Sequence, residues 1–289
     1  MNRDPVLVTG ATGYVGSELI PELLQRGHRV RALSRDPDRL PAAVDGRRGD
    51  AVSGRGLAQA LDGCRTAYYL IHSMGGEGDF AAHDREAAVN FGEAARSAGV
   101  ERVIYLGGLG DQDSEHLRSR LEVAELLRAR VPGLVHARAA MVIGAGSASF
   151  VMLRSLVTRL PVMICPRWID TRTQPIAIGD VVGALAEIGA ADEVPEEVQL
   201  GGADVLTYRE MMRRTAEVLG RRRPQVVKVP VLTPRLSSYW VALVTPVEAG
   251  LVRPLVDGLA SEMVVRHPPP PGINDQPLGF DDAVRAAVA

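Results

Sequence analysis

The sequence predicts an α/β fold, a doubly wound parallel sheet covered by helices on both faces, followed by a smaller and mainly helical C-terminal region. Three observations predict it. The apolar run Pro5-Val6-Leu7-Val8 leads straight into a turn with Gly10, Gly13 and Gly16, and a helical pattern comes next. Apolar runs of strand length then alternate with helical stretches through about the first 140 residues, the pattern of strand–helix–strand units with crossover connections. From about Ala148 the alternation loosens into helical stretches separated by proline-containing segments.

After the first strand, a helix over Tyr14 to Arg26 is stopped by Gly27 and should be kinked by the internal Pro21. The second strand covers His28 to Leu33, and a short third lies near Arg47 to Asp50. A helix over Gly56 to Leu61 precedes a fourth strand, Thr66 to Ile71, and a long helix ends at Ala98-Gly99. The fifth strand is Arg102 to Leu106, the next helix Ser114 to Arg130, and the sixth strand Leu134 to Ala139. Further on, Gln174 to Ile178 reads as one more strand, with Asp180 placed to cap the helix after it. Thr207 caps a helix over Tyr208 to Leu219 that Gly220 ends. The proline run from His267 to Gly272 is extended, and the residues beyond Gly272 dock as a short closing segment. The division is therefore residues 1–147, a nucleotide-binding domain, and 148–289, a substrate region packed on the same core as one structural unit.

Composition bounds the function. A chain of 289 residues with 46% hydrophobic residues can bury a large core. Its net charge of −2 gives no global attraction for nucleic acid. Cys64 and Cys165 stand far apart without metal-ligand spacing, so neither a disulfide framework nor a metal site is expected. No basic-then-apolar leader precedes the first strand, and the chain reads as cytoplasmic. The apolar stretch Leu236 to Val256 contains Pro246, Glu248, Arg253 and Pro254, which disfavour a transmembrane helix. A buried helical pair suits it better, with peripheral membrane contact through Tyr239 and Trp240 as the alternative. Oligomeric state is not written in the sequence.

The glycine turn gives the strongest chemical signal. A tight turn between a buried strand and a helix lets backbone N–H groups and the positive helix end face a pyrophosphate, and side chains at the glycines would block that approach. The context is that of a Rossmann-type dinucleotide site. At the end of the second strand, where an acidic residue would bind unphosphorylated ribose, the sequence has Ser34 and Arg35. Arg35, helped by Arg31, favours NADP(H) over NAD(H), because a guanidinium matches phosphate bidentately. Asp36 comes directly after and argues the other way, and a solvated loop charge is the alternative for Arg35.

The Thr9-Gly10-Ala11-Thr12-Gly13-Tyr14-Val15-Gly16 turn, the Val30 to Arg35 strand end, Gly49-Asp50-Ala51 and Gly99 to Leu106 together resemble the atypical short-chain dehydrogenase/reductases. Within these the chain is similar to the NmrA-like and complex-I-accessory-subunit-like NAD(P)-binding proteins, over nearly its whole length. Tyr68 to Met74 and Pro175 to Val181 resemble a bacterial subgroup whose members mostly lack an assigned reaction. The resemblance implies that Gly10, Thr12, Gly13, Tyr14, Val15 and Gly16 wrap the pyrophosphate. It implies that Asp50 and Ala51 meet the adenine and that His72 and Ser73 lie along the nicotinamide ribose.

The catalytic pattern departs from that family. Its usual members carry a Ser or Thr after the fifth strand and a Tyr-x-x-x-Lys on the next helix, whereas here the strand ends Leu106-Gly107-Gly108 and His116 and Arg120 hold the spacing of the pair. A histidine is a competent acid near neutral pH, and an arginine four residues on shares its helix face. Other polar residues read as structural: the His83-Asp84-Arg85-Glu86 run as a solvated face, His136 as a satisfied core or edge histidine, Asn90 as helix packing, and Cys64 as a thiol with no histidine partner. Met141 is placed to touch the nicotinamide through its backbone, while Arg167, Trp168 and Arg172 would overhang the pocket and favour an anionic substrate. Two functions remain open: a reductase passing hydride from NADPH to a small carbonyl, enone, quinone or flavin acceptor, or a catalytically silent NAD(P)-binding sensor or assembly protein.

Overall fold

Strand β1, Val6–Val8, is buried along its length and sits inside a seven-stranded sheet. Its neighbours are β2, Val30–Ser34, and β4, Thr66–Tyr69. Beyond β2 lies β3, Asp45–Arg48; beyond β4 lie β5, Arg102–Gly108, and β6, Leu134–Ala139. A further strand, Glu197–Leu200, pairs with the outer edge of β6, and every pairing in the sheet is parallel. This is a computed structural model, and it describes residues 4–71, 80–110, 115–165, 167–229, 245–246, 256 and 258–289.

The predicted doubly wound parallel sheet is the observed one. Helices α1, Tyr14–Gln25, α2, Leu57–Leu61, α3, Phe80–Ser97, and α4, Glu115–Arg128, succeed the strands as the sequence pattern requires. A single α1 runs through Pro21. Edge strand β3 is exposed at all four positions, and its Asp-Gly-Arg-Arg sequence discourages edge-to-edge pairing with another chain.

Two apolar layers cover the sheet. On one face Leu19, Ile20 and Leu23 of α1 pack with Val181, Leu185 and Ile188 of a later helix, Ile178–Ala190. On the other, Phe91 of α3 and Leu127 of α4 close over Leu7, Tyr69 and Val103. Residues after 147 therefore return to the sheet, as a strand at its edge and a helix on its face.

The same stretch carries α5, Ala148–Arg159, α6, the helix Ile178–Ala190 just named, α7, Tyr208–Val218, and a closing helix, Phe280–Val288. Helices α5 and α7 and the closing helix share a third core with Phe150, Leu153, Met211, Phe280 and Val284. Three short strand pairs join them: Val142–Ile143 with Ile176–Ala177, the latter inside the strand expected over Gln174 to Ile178, and two pairs that the helical reading omitted, Arg172–Thr173 with Leu206–Thr207 and Val162–Cys165 with Gln225–Lys228.

Thr207 caps α7 as the sequence requires: its hydroxyl accepts from the Glu210 N–H and the Glu210 carboxylate accepts from the Thr207 N–H at 2.8 Å. Asp180 is a correction. The N-cap of α6 is Ala177, and Asp180, in the first turn, instead accepts from the backbone N–H of Leu278 at 2.8 Å. The proline run, expected to be extended throughout, ends in a turn in which Ile273 N–H donates to Pro270 O at 3.2 Å, and the closing segment is tied by polar side chains. Gln199 Oε1 accepts from the N–H groups of Arg266 and His267, and Asp204 accepts from Phe280 N–H at 2.7 Å, capping the last helix. Among the described residues no helix is long and apolar enough to cross a membrane. Residues 236–256, on which the membrane-contact expectation fell, lie outside the described residues except for Thr245, Pro246 and Val256.

Candidate functional site

The site starts where the sheet changes direction. Connections from β1 and β4 leave toward opposite sides, which opens a crevice beyond their carboxyl ends. Thr9 stitches the two strands there: its hydroxyl donates to Tyr68 O at 3.1 Å and accepts from Leu70 N–H at 3.2 Å. The chain then turns at Gly10, whose φ of 63° lies in the left-handed region, and a Cβ there would come within 2.6 Å of Leu70 O. A Cβ on Gly16 would overlap the backbone of Gly10 and Ala11. Helix α1 begins with Gly13 as a bare cap and has no acidic residue in its first turn, so its leading N–H groups and positive end are left for an anion. A cradle that side chains would fill, ending on an acid-free helix start, fits a pyrophosphate.

The crevice continues as a cleft of about 1150 Å³. Gly10, Thr12, Gly13, Tyr14, Val15, Gly16, Ser34, Arg35, Asp50, Ala51 and Arg120 all line it. His72 and Ser73 lie outside the described residues, as does the side chain of His116, whose backbone is in α4.

At the β2 end, Arg35 is exposed and makes no side-chain hydrogen bond or ion pair among the described residues; Arg39 and Asp36 line the cleft beside it. Ser34 shapes this corner, its Oγ donating to Asp36 O at 2.9 Å and accepting from Asp36 N–H at 3.1 Å. Arg31 is a correction. Its guanidinium is bound to Asp45 at 2.8 Å and to the carbonyls of Ala60 and Asp62, because Asp45 stands opposite it on the neighbouring strand. It is therefore committed to structure.

The loop after β3 is braced twice. Asp50 Oδ1 accepts from Val52 N–H at 2.9 Å, and Asn90 Nδ2 on α3 donates to the carbonyls of Ala51 and Val52 at 3.1 and 2.6 Å. Asn90, read from sequence as helix packing, thus fixes the loop that carries Asp50 and Ala51.

At the other end, β5 explains its own missing hydroxyl. A Cβ at Gly107 would run into the His136 imidazole, and one at Gly108 would come within 2.8 Å of Leu117. His136 stacks on Tyr105 at 5.1 Å between ring centroids, and its buried Nε2 has no hydrogen-bond partner, so the expectation of a satisfied histidine is corrected. Burial, reinforced by the charge of Arg138, pushes its pKa down to about 3. The Tyr105 hydroxyl donates to Arg120 O at 3.2 Å, and the Arg120 guanidinium donates to Leu106 O at 3.0 Å. Arg120 is thereby held against the strand end while it faces the cleft.

His83, taken for part of a solvated face, is exposed and also lines the cleft, whereas Asp84 of the same run is buried. Arg85 on α3 pairs with Glu122 on α4 at 3.4 Å, and His83 of α3 and Arg120 of α4 both line the cleft. Arg172 is paired with Glu262 at 2.8 Å and does not line the cleft; the side chains of Arg167 and Trp168 lie outside the described residues. Cys64 is buried, with its thiol pushed up by that burial, which leaves no nucleophilic thiolate. Met141 lines the cleft as expected, joined by Met152, Tyr208, Leu259 and Met263, which the sequence did not single out. Among the described residues no cluster of His, Cys, Asp or Glu could hold a metal ion.

A family model described as NAD(P)H-binding matches residues 10–155, half of the chain. The chain belongs to the NAD(P)H-binding family. The resemblance to the atypical short-chain dehydrogenase/reductases is thereby shown, and the matched residues begin at Gly10 of the glycine cradle. A 3β-hydroxysteroid dehydrogenase/Δ5→4-isomerase of Mycobacterium tuberculosis is 38% identical over 112 residues, which is 35% of this chain but only 30% of that relative. The chain thus matches about a third of the length of the steroid dehydrogenases. A ceramide reductase of Caulobacter vibrioides is 29% identical over 86% of this chain and 82% of its own. The crystal structure of a nucleoside-diphosphate-sugar epimerase from Staphylococcus aureus superposes with a TM-score of 0.75, covering 97% of this chain and 99% of that one at 17% identity, a likeness of fold.

Proposed function

We propose that this family member is a cytoplasmic reductase that passes hydride from NADPH to a carbonyl, enone, quinone or flavin acceptor. The observation that carries the reading is a single cleft lined by the glycine cradle and the uncommitted Arg35 and also by Arg120, Leu117, Met141, Met152 and Met263, which we read as a second compartment. A silent sensor needs the first compartment and has no use for the second. The dehydrogenase and reductase relatives favour the same choice.

In this reading the backbone of Gly10, Thr12, Gly13, Tyr14, Val15 and Gly16 binds the pyrophosphate. The Tyr14 hydroxyl is occupied by the Gly146 N–H, so its part is played by its amide. Arg35 and Ser34 receive the 2′-phosphate, favouring NADP(H) over NAD(H), while Asp50 and Ala51 flank the adenine and His72 and Ser73 the nicotinamide ribose. When bound, the cofactor supplies the hydride. For a carbonyl or quinone acceptor the protein must then deliver a proton to the oxygen that hydride transfer leaves negatively charged. His116 is the assigned donor, with Arg120 stabilising negative charge as it develops. His83, which also lines the cleft, is the second candidate.

The test is steady NADPH consumption with an acceptor panel. A general acid is worth about 10²- to 10⁴-fold, so His116→Ala should lower kcat by at least the smaller factor. An unchanged rate removes His116 and moves the assignment to His83. Tight NADPH binding with no turnover of any acceptor would instead support the sensor.

A further inference from the structure

We infer that the acceptor is a bulky, uncharged, apolar molecule, and that the second compartment rejects nucleotide-linked sugars and other anionic substrates; the inference rests on the hydride-transfer reading above. The compartment's walls include Leu117, Met141, Met152, Tyr208, Leu259 and Met263. Met141 and Met263 are partly exposed and present apolar surface to the compartment, backed by the buried Leu117, Met152, Tyr208 and Leu259. Three methionines, unbranched and polarisable, make a wall that fits irregular apolar shapes.

Charge points the same way. Among the described residues, the arginines lining the cleft are Arg35, Arg39 and Arg120. The first two stand at the β2 end, with the adenine side of the cofactor, and the third donates to Leu106 O. Four described cations of the C-terminal half are engaged elsewhere. Arg138 donates to Gly108 O and Gly110 O and pairs with Glu197, Arg172 pairs with Glu262, Arg209 with Asp170, and Arg214 with Asp204 and Asp281. The first turn of α5 does reach the cleft, but Gly146 beside it packs on the Tyr14 ring, which puts that helix end on the cofactor side. A substrate diphosphate entering the methionine wall would lose its water without gaining a counter-charge from the described residues there, whereas an alkyl or ring system gains by leaving water. The epimerase likeness therefore extends to the fold and stops at the substrate.

The experiment is a calorimetric titration of NADP⁺-loaded protein with 2-alkanones of six to ten carbons, the corresponding oxo acids with a carboxylate at the far end, and UDP-glucose. Binding of NADP⁺ is measured first in the same cell, and its absence would refute the hydride-transfer reading itself. With NADP⁺ bound, affinity for the ketones should rise about fourfold per methylene, and the terminal carboxylate should erase that gain. Met263→Ala and Leu259→Ala should each weaken the ten-carbon ketone about tenfold while leaving the NADP⁺ affinity within about twofold. Two variants are used so that one that fails to bind NADP⁺ can be set aside as misfolded. Affinity independent of chain length, oxo acids binding as well as ketones, or UDP-glucose binding more tightly than either would overturn the assignment.

Discussion

Replacing His136 by phenylalanine should flatten the acid sensitivity of the fold. His136 is 1% exposed, stacked on Tyr105, and has no partner for Nε2. Its pKa falls from 6.5 to about 3, so the folded protein keeps the imidazole neutral where the unfolded chain protonates it. Stability rises with pH wherever the unfolded state binds more protons, so this residue costs stability as pH falls below about 6.5, down to about 3. Between pH 7.5 and 5.5 the unfolded histidine goes from about one-tenth to nine-tenths protonated, which is about 1.4 kcal/mol from this group alone. Phenylalanine keeps the stack and removes the proton site. Urea midpoints of both proteins at pH 7.5, 6.5 and 5.5 give the comparison. The variant should lose about 1.4 kcal/mol less than the wild type over that interval, whatever constant offset its larger ring adds beside Gly107. Parallel pH profiles would mean that His136 protonates as readily in the folded state, and the buried-neutral description would fail.

Two further outcomes concern the cofactor end. Gly16→Ala should abolish binding of either nicotinamide cofactor, because its Cβ overlaps Gly10 O and sits 2.9 Å from Ala11 Cα; circular dichroism and a thermal melt separate lost binding from lost fold, and retained affinity would contradict the cradle. Asn90→Ala removes two hydrogen bonds to the carbonyls of Ala51 and Val52, which should cost about 1–3 kcal/mol of stability and weaken the binding of NADPH and NADH alike. An unchanged affinity would take the loop after β3 out of the adenine site.

Much of the fold and of the cofactor end was legible in the sequence because it is local. The strand–turn–helix at Gly10 to Gly16 and the Thr207–Glu210 capping box are each specified by residues within a turn or two of one another. The features that were missed depend on long-range partners. The strand Glu197–Leu200 reads as polar every second residue, and Gln199 is buried only because Arg266 and His267 return to bond its side chain. Arg31 looked available for phosphate until strand register set Asp45 opposite it. Asp180 has the chemistry of a cap, but its carboxylate is drawn to Leu278, ninety-eight residues away. His83 lines the cleft, and no spacing within α3 tells which of its exposed residues do so. The glycines that end β5 carried a readable signal, a missing hydroxyl, whose cause lay in the His136 ring on the next strand.

Parallel calorimetric titrations of NADPH and NADH into cofactor-free wild type and Arg35→Ala bear on the cofactor assignment, on which the hydride-transfer reading depends. NADPH should bind the wild type more tightly than NADH. Loss of a guanidinium–phosphate contact should weaken NADPH about 10- to 100-fold in the variant and leave NADH unchanged. Equal affinities for the two cofactors in the wild type, or the same loss for both in the variant, would contradict the role given to Arg35; no binding of either would contradict the reductase.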